Sequence, residues 1–97
     1  MILINAIFDV KETEFENFLA DINKLIDSSK QEDGCLSYEL FQSTTSENRF
    51  VMIENWADQA AVEQHNQNPD LIAFAQNVGN YVSAKPVLHV TEVATAN

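Results

Sequence analysis

Two histidines, one tryptophan and a few carboxylates hold most of the chemistry this 97-residue chain can offer. His65 comes close after Trp56. An imidazole titrates near neutral pH and can take or relay a phenolic proton. At a helix end it can instead bind the last carbonyls. Trp56 offers a flat wall to an aromatic ligand, or else a large core side chain. Asn5 sits in a strand that is otherwise apolar on both faces. A buried amide without partners costs roughly 1–3 kcal/mol, so Asn5 either orients a ligand oxygen or bridges strands or subunits. Glu39 and Glu54 share strand parity as diagonal neighbours, and paired carboxylates can split their pKa values and do acid–base work. The alternative has one of them solvated and the other bonded to Ser37 or the backbone. Cys35 reads as a small buried hydrophobe, because the nearby Asp33 disfavours its thiolate. His89 reads as a plain strand histidine. His65 and His89 lie 24 residues apart with no His-x-x-x-His spacing, so no metal site is expected.

The elements that must position these groups follow from periodicity. Ile2 to Phe8 alternates two sets that are both largely apolar, a strand covered on both faces. Thr13-Glu-Phe-Glu16 fits a capping box, and Phe15, Phe18, Leu19, Ile22, Leu25 and Ile26 recur at helical spacing. The expected helix runs from about Thr13 to Ser29. Glu32-Asp-Gly34 is a turn. Cys35 to Gln42 and Phe50 to Trp56 read as a hairpin around the polar loop Ser43 to Asn48. Symmetric pairing joins Phe41 to Phe50, Glu39 to Met52, Ser37 to Glu54 and Cys35 to Trp56. Asp58 caps a short helix through His65. Asn68-Pro69 starts another, with Leu71, Phe74, Ala75, Val78 and Val82 as its buried stripe and Pro86 as its end. Val87 to Val93 is the last strand, with Tyr38 left to the core by parity.

This order, β-α-β-β-α-β, implies a ferredoxin-like α+β fold, one antiparallel sheet with its helices on one face. Residues 1–97 form a single domain in this reading. Ile2, Ile4, Phe8, Leu36, Leu40, Val51, Ile53, Leu88 and Val90 are assigned to the helix side. The other face takes Leu3, Asn5, Ile7, Ser37, Glu39, Phe41, Phe50, Met52, Glu54, Trp56, Val87 and His89. That set is too apolar for open water, so two sheets are expected to meet in a homodimer.

Fifteen Asp and Glu against five Lys and Arg give a formal charge of −10. Nucleic acid or anionic lipid needs clustered cations that this chain does not supply. No apolar run approaches the ~20 residues of a membrane span. The start of the chain lacks a basic segment and carries Asn5 and Asp9, so no secretory leader is expected. One cysteine excludes an intrachain disulfide, and a reducing, cytoplasmic setting is the default.

Glu32-Asp-Gly-Cys-Leu-Ser-Tyr-Glu-Leu40 resembles the hairpin entry of antibiotic biosynthesis monooxygenase (ABM) domains. Glu54-Asn-Trp56 followed by Ala60, Ala61 and His65 resembles their next segment, and the likeness spans nearly the whole chain. The resemblance implies a dimeric α+β barrel. It implies oxidation of a small aromatic quinol or polyketide-like substrate by O₂ without metal, flavin or haem. Other members isomerise substrates or degrade haem. The stretch Ala73 to Asn77 lacks the axial His of the haem-degrading members. The catalytic set expected on this basis is His65, Asn5 and Trp56, with Glu54, Met52, Glu39 and Phe74 binding substrate. A non-redox isomerase and a non-catalytic ligand-binding dimer are the alternatives.

Overall fold

The structure is a computed structural model and describes residues 1–94. Of the domain expected over 1–97, residues 95–97 lie outside the described residues. Four strands, β1 (Ile2–Asp9), β2 (Cys35–Gln42), β3 (Arg49–Trp56) and β4 (Val87–Glu92), form one antiparallel sheet in the order β2-β3-β1-β4. Helices α1 (Phe15–Ser29), α2 (Gln59–His65) and α3 (Pro69–Asn77) complete the α+β, ferredoxin-like fold. Burial alternates along β1, with Ile2, Ile4, Ala6 and Phe8 buried and Leu3, Asn5 and Ile7 half-buried. The buried set packs on Phe18, Ile22 and Leu25 of α1 and Phe74 of α3. Phe18 is fully enclosed, with ring centroids 5.4 Å from Phe8, 5.3 Å from Phe50 and 6.2 Å from Phe74.

The hairpin departs from symmetric pairing by one residue. Phe41 pairs with Val51, Leu40 with Met52, Glu39 with Ile53, Tyr38 with Glu54 and Ser37 with Asn55. Cys35 still faces Trp56, because a bulge between Cys35 and Ser37 absorbs the extra residue. The loop sets this register. Ser43 N–H donates to the Arg49 carbonyl (2.9 Å), and Ser43 Oγ accepts from the Thr45 and Ser46 amides. The turn therefore closes one residue later than the polar run suggests.

Because strand side chains alternate, the slip moves all of β3 to the other face. Phe50, Met52, Glu54 and Trp56 point to the helices and are buried, in register with Phe8, Ala6, Ile4 and Ile2. Val51 and Ile53, expected against the helices, lie on the opposite face with Asn5 and Glu39. The expected pairing of Glu39 with Glu54 on one face is corrected by the same register. Leu36, at the bulge, is 59% exposed rather than core.

Two helix boundaries also differ. Thr13 lies in a tight 3-10 turn over Glu12–Glu14, held by Glu14 N–H on the Lys11 carbonyl, and does not cap α1. The α3 segment stops at Asn77 and passes through a 3-10 turn over Val78–Asn80, well before Pro86. Val82 bridges to Val10, and Ser83 N–H bonds the Asp9 carbonyl, which draws the chain into extended form earlier. Asp58 and Asn68 cap as expected, accepting from the Ala61 amide (2.9 Å) and the Asp70 amide (2.8 Å).

Removing the Phe18 ring should lower stability by roughly 3–5 kcal/mol, the range for emptying a large enclosed aromatic site. Denaturant unfolding of Phe18→Ala checks this, and a midpoint equal to the parent's would show the core to be misassigned.

A buried carboxylate facing an apolar cavity

A cavity of about 180 Å³ lies between the sheet and helices α1 and α3. Every strand and helix except α2 contributes wall. Phe8, Met52, Leu25 and Phe74 make it apolar, and the exposed residues Ala75 and Leu88 also line it. Its polar residues are Glu54 and Tyr38, cross-strand partners in the hairpin.

Glu54 is 6% exposed. Its Oε1 accepts the Trp56 indole N–H at 3.0 Å, two residues along the same face of β3. His65, the last residue of α2, lies behind it with Nε2 3.8 Å from the same oxygen. The other imidazole nitrogen, Nδ1, is 2.8 Å from Glu32 Oε2. Asn68 Nδ2 donates to that Glu32 oxygen (3.2 Å) and to Ser28 Oγ (2.9 Å). The Trp56 ring lies over the imidazole at 4.4 Å between centroids, and Tyr38 approaches both rings edge-on.

Burial pushes the Glu54 carboxyl up to about 7; the Trp56 N–H opposes this and the Glu32 charge adds to it. An acid in that range exchanges protons at neutral pH and is suited to general-base work. Tyr38 is driven well above its ordinary value by burial and then by Glu54, so its hydroxyl stays protonated. Burial also raises the Cys35 thiol, with Glu32 and Glu54 adding to the effect.

The sequence-predicted residues separate into two groups. Trp56, His65 and Glu54 come together, and Glu54, Met52 and Phe74 line the cavity. His65 and Trp56 touch Glu54 from behind and form none of the cavity wall. Asn5 lies on the opposite sheet face beside Ile53 and His89, and Glu39 is exposed there. Glu32, Tyr38 and Asn68 belong to the buried cluster but were not singled out by residue type. Their signals were present: Glu32 opens the hairpin-entry motif, and Asn68 reads as a cap.

The raised Glu54 pKa has a consequence for stability. Between the ordinary carboxyl value of 4.5 and about 7, the folded chain holds a proton that the unfolded chain has lost. The Glu54 contribution is therefore full below pH 4.5 and falls as pH rises through 7. Glu54→Gln should gain on the parent by about 3 kcal/mol between pH 4 and 8. Urea unfolding of both proteins across this range measures the difference; a pH-independent gap would contradict the burial of an ionisable Glu54.

Known proteins of similar sequence and shape bear on this site. The family profile described as Antibiotic biosynthesis monooxygenase matches residues 1–77. YcnE of Bacillus subtilis (strain 168), which carries a provisional monooxygenase name, is 36% identical over 84 residues, 87% of this chain and 88% of that protein. Rv0793 from Mycobacterium tuberculosis superposes with a TM-score of 0.91 over 98% of this chain and 96% of that one, at 21% identity. A Caulobacter crescentus CB15 protein provisionally titled an antibiotic biosynthesis monooxygenase gives 0.91 over 97% and 90%, at 24% identity. These structural likenesses establish a shared fold, and with the profile match over most of its length the chain belongs to the antibiotic biosynthesis monooxygenase family.

Proposed function

We propose that this chain is a cofactor-independent monooxygenase of a small aromatic quinol, with Glu54 as its base. The observation that carries this reading is a single ionisable carboxylate set in an apolar cavity with a pKa near neutrality. A quinol hydroxyl seated against Glu54 loses its proton to the carboxylate. The electron-rich anion gives electrons to O₂, and a carbon–oxygen bond forms on the ring. Glu54 returns its proton to the resulting peroxide. The O–O bond breaks, the distal oxygen leaves as water with the ring hydrogen, and a hydroxyquinone remains. The quinol supplies all four electrons, so the protein's tasks are to deprotonate, hold the ring and exclude water. Trp56 acts through Glu54, its indole N–H holding Oε1 at 3.0 Å, and His65 stands behind the same oxygen at 3.8 Å. YcnE's name supports the same reaction class. Isomerisation of a phosphorylated substrate is disfavoured, because no Lys, Arg or His among the described residues lines the cavity.

The working unit in this proposal is a homodimer in a reducing, cytoplasmic setting, the latter resting on the free, half-buried Cys35. The helices leave one sheet face uncovered, carrying Leu3, Ile7, Val51 and Ile53, with Phe41 49% exposed and Val87 47% exposed. Such a patch favours burial against another surface. Asn5 Oδ1 is enclosed on that face with no hydrogen-bond partner among the described residues, and a second sheet could supply one. Light scattering at micromolar concentration should give twice the 10.9 kDa chain mass; a monomer mass would contradict this arrangement.

The reaction is tested by O₂ uptake with added quinol. The rate should rise with pH through about 7, where Glu54 ionises. Glu54→Gln should lower turnover by roughly 10²–10⁴-fold. His65→Ala should retain more activity, because the imidazole forms none of the cavity wall. Unchanged uptake in Glu54→Gln would remove it as the base, and a loss of uptake in His65→Ala as large as in Glu54→Gln would favour direct proton transfer to the imidazole.

A further inference from the structure

We infer that the substrate is a single-ring arene with its hydroxyl groups at one end and an uncharged, apolar opposite end. This rests on the hydroxyl-deprotonating role given to Glu54 and narrows it. Three observations carry it.

The first is size. The cavity measures about 180 Å³. An apolar protein cavity of roughly 150 Å³ accommodates benzene. One ring with a small substituent fills this space, and a second fused ring would have to reach out past the exposed rim at Ala75 and Leu88. The walls cannot recede easily, because Phe8 and Phe74 stack edge to face at 5.8 Å and both are buried in the core.

The second is the placement of polar groups. Glu54 and Tyr38 are paired across β2 and β3, so both lie at one end. A carboxylate at that end accepts from a ring hydroxyl and so sets the hydroxylated edge of the ring there. A polar group at the other end would face Phe8, Phe74 and Leu71 without a partner, and an unmade hydrogen bond of this kind weakens binding about tenfold or more.

The third is charge. Among the described residues no cation lines the cavity, Glu54 carries the negative charge when ionised, and the chain as a whole has a formal charge of −10. A ligand bearing a carboxylate or phosphate would enter against like charge and lose its hydration unpaired.

Three probes share one ortho-dihydroxy edge and differ at the far end: 4-methylcatechol, 2,3-dihydroxynaphthalene and 3,4-dihydroxybenzoate. Calorimetric titration into the intact protein without O₂ measures binding apart from chemistry. The expected result is a Kd for 4-methylcatechol at least tenfold below those of the other two. Equal or tighter binding of 2,3-dihydroxynaphthalene would overturn the size argument, and equal or tighter binding of 3,4-dihydroxybenzoate the charge argument. Failure of 4-methylcatechol to bind would overturn the inference as a whole. O₂ uptake is then read separately. Tight binding of 4-methylcatechol without O₂ consumption would leave the ligand class standing and remove the monooxygenase reading. O₂ consumption with a fused-ring quinol that 4-methylcatechol does not displace would do the reverse.

Discussion

A carboxylate withdrawn from water is the constraint on which this structure turns. Glu54 lies in the middle of the sheet, on the side where the helices exclude solvent. A charge in that position is costly unless it is paired or protonated. The chain meets that cost with one indole N–H at 3.0 Å and a pKa raised to about 7, and an imidazole stands 3.8 Å from the same oxygen. The imidazole is in turn fixed by Glu32 before β2, and Glu32 by Asn68 at the head of α3. One buried group thereby ties the hairpin, α2 and α3 to a common point.

Local geometry makes that cluster possible. The bulge after Cys35 lets Cys35 face Trp56 while the rest of β2 pairs so that Tyr38 opposes Glu54. Gly34 brings α2 down onto the hairpin entry: a Cβ at that position would overlap Ala61 Cβ, and the Gly34 carbonyl accepts the Ala57 amide at 2.9 Å. The helix approaches closely only because that side chain is missing. Asp58 then caps α2, and His65 at its far end arrives beside Trp56 with the rings 4.4 Å apart.

Much of this was legible in the residues. The element order, the caps at Asp58 and Asn68 and the apolar stripe of α1 follow from spacing and residue type. The face of β3 did not. Val51 and Ile53 are apolar, but so are Phe50, Met52 and Trp56, so hydrophobic alternation gives no preference between the two registers. The Ser43 turn and the bulge at Leu36 decide it, and neither carries a glycine or proline to announce it. That one-residue slip hid the alliance of Tyr38 with Glu54 and set Glu39 apart from both. It also determined which groups reach the cavity. Asn5 could be recognised as an unusual amide, but only strand pairing shows it turned away from Glu54. Glu32 lay in a recognisable motif, yet its contact with His65 spans 33 residues of sequence and has no local signature.

Base chemistry in this cavity depends most directly on the ionisation of Glu54. Carbon-detected NMR of the glutamate side-chain carboxyls, assigned by comparison with Glu54→Gln, follows that group alone through a pH titration. A midpoint near pH 7, about that of the buried group, is the result the structure predicts. A midpoint near the ordinary 4.5 would show a solvated carboxylate and would contradict Glu54 as the base of this cavity.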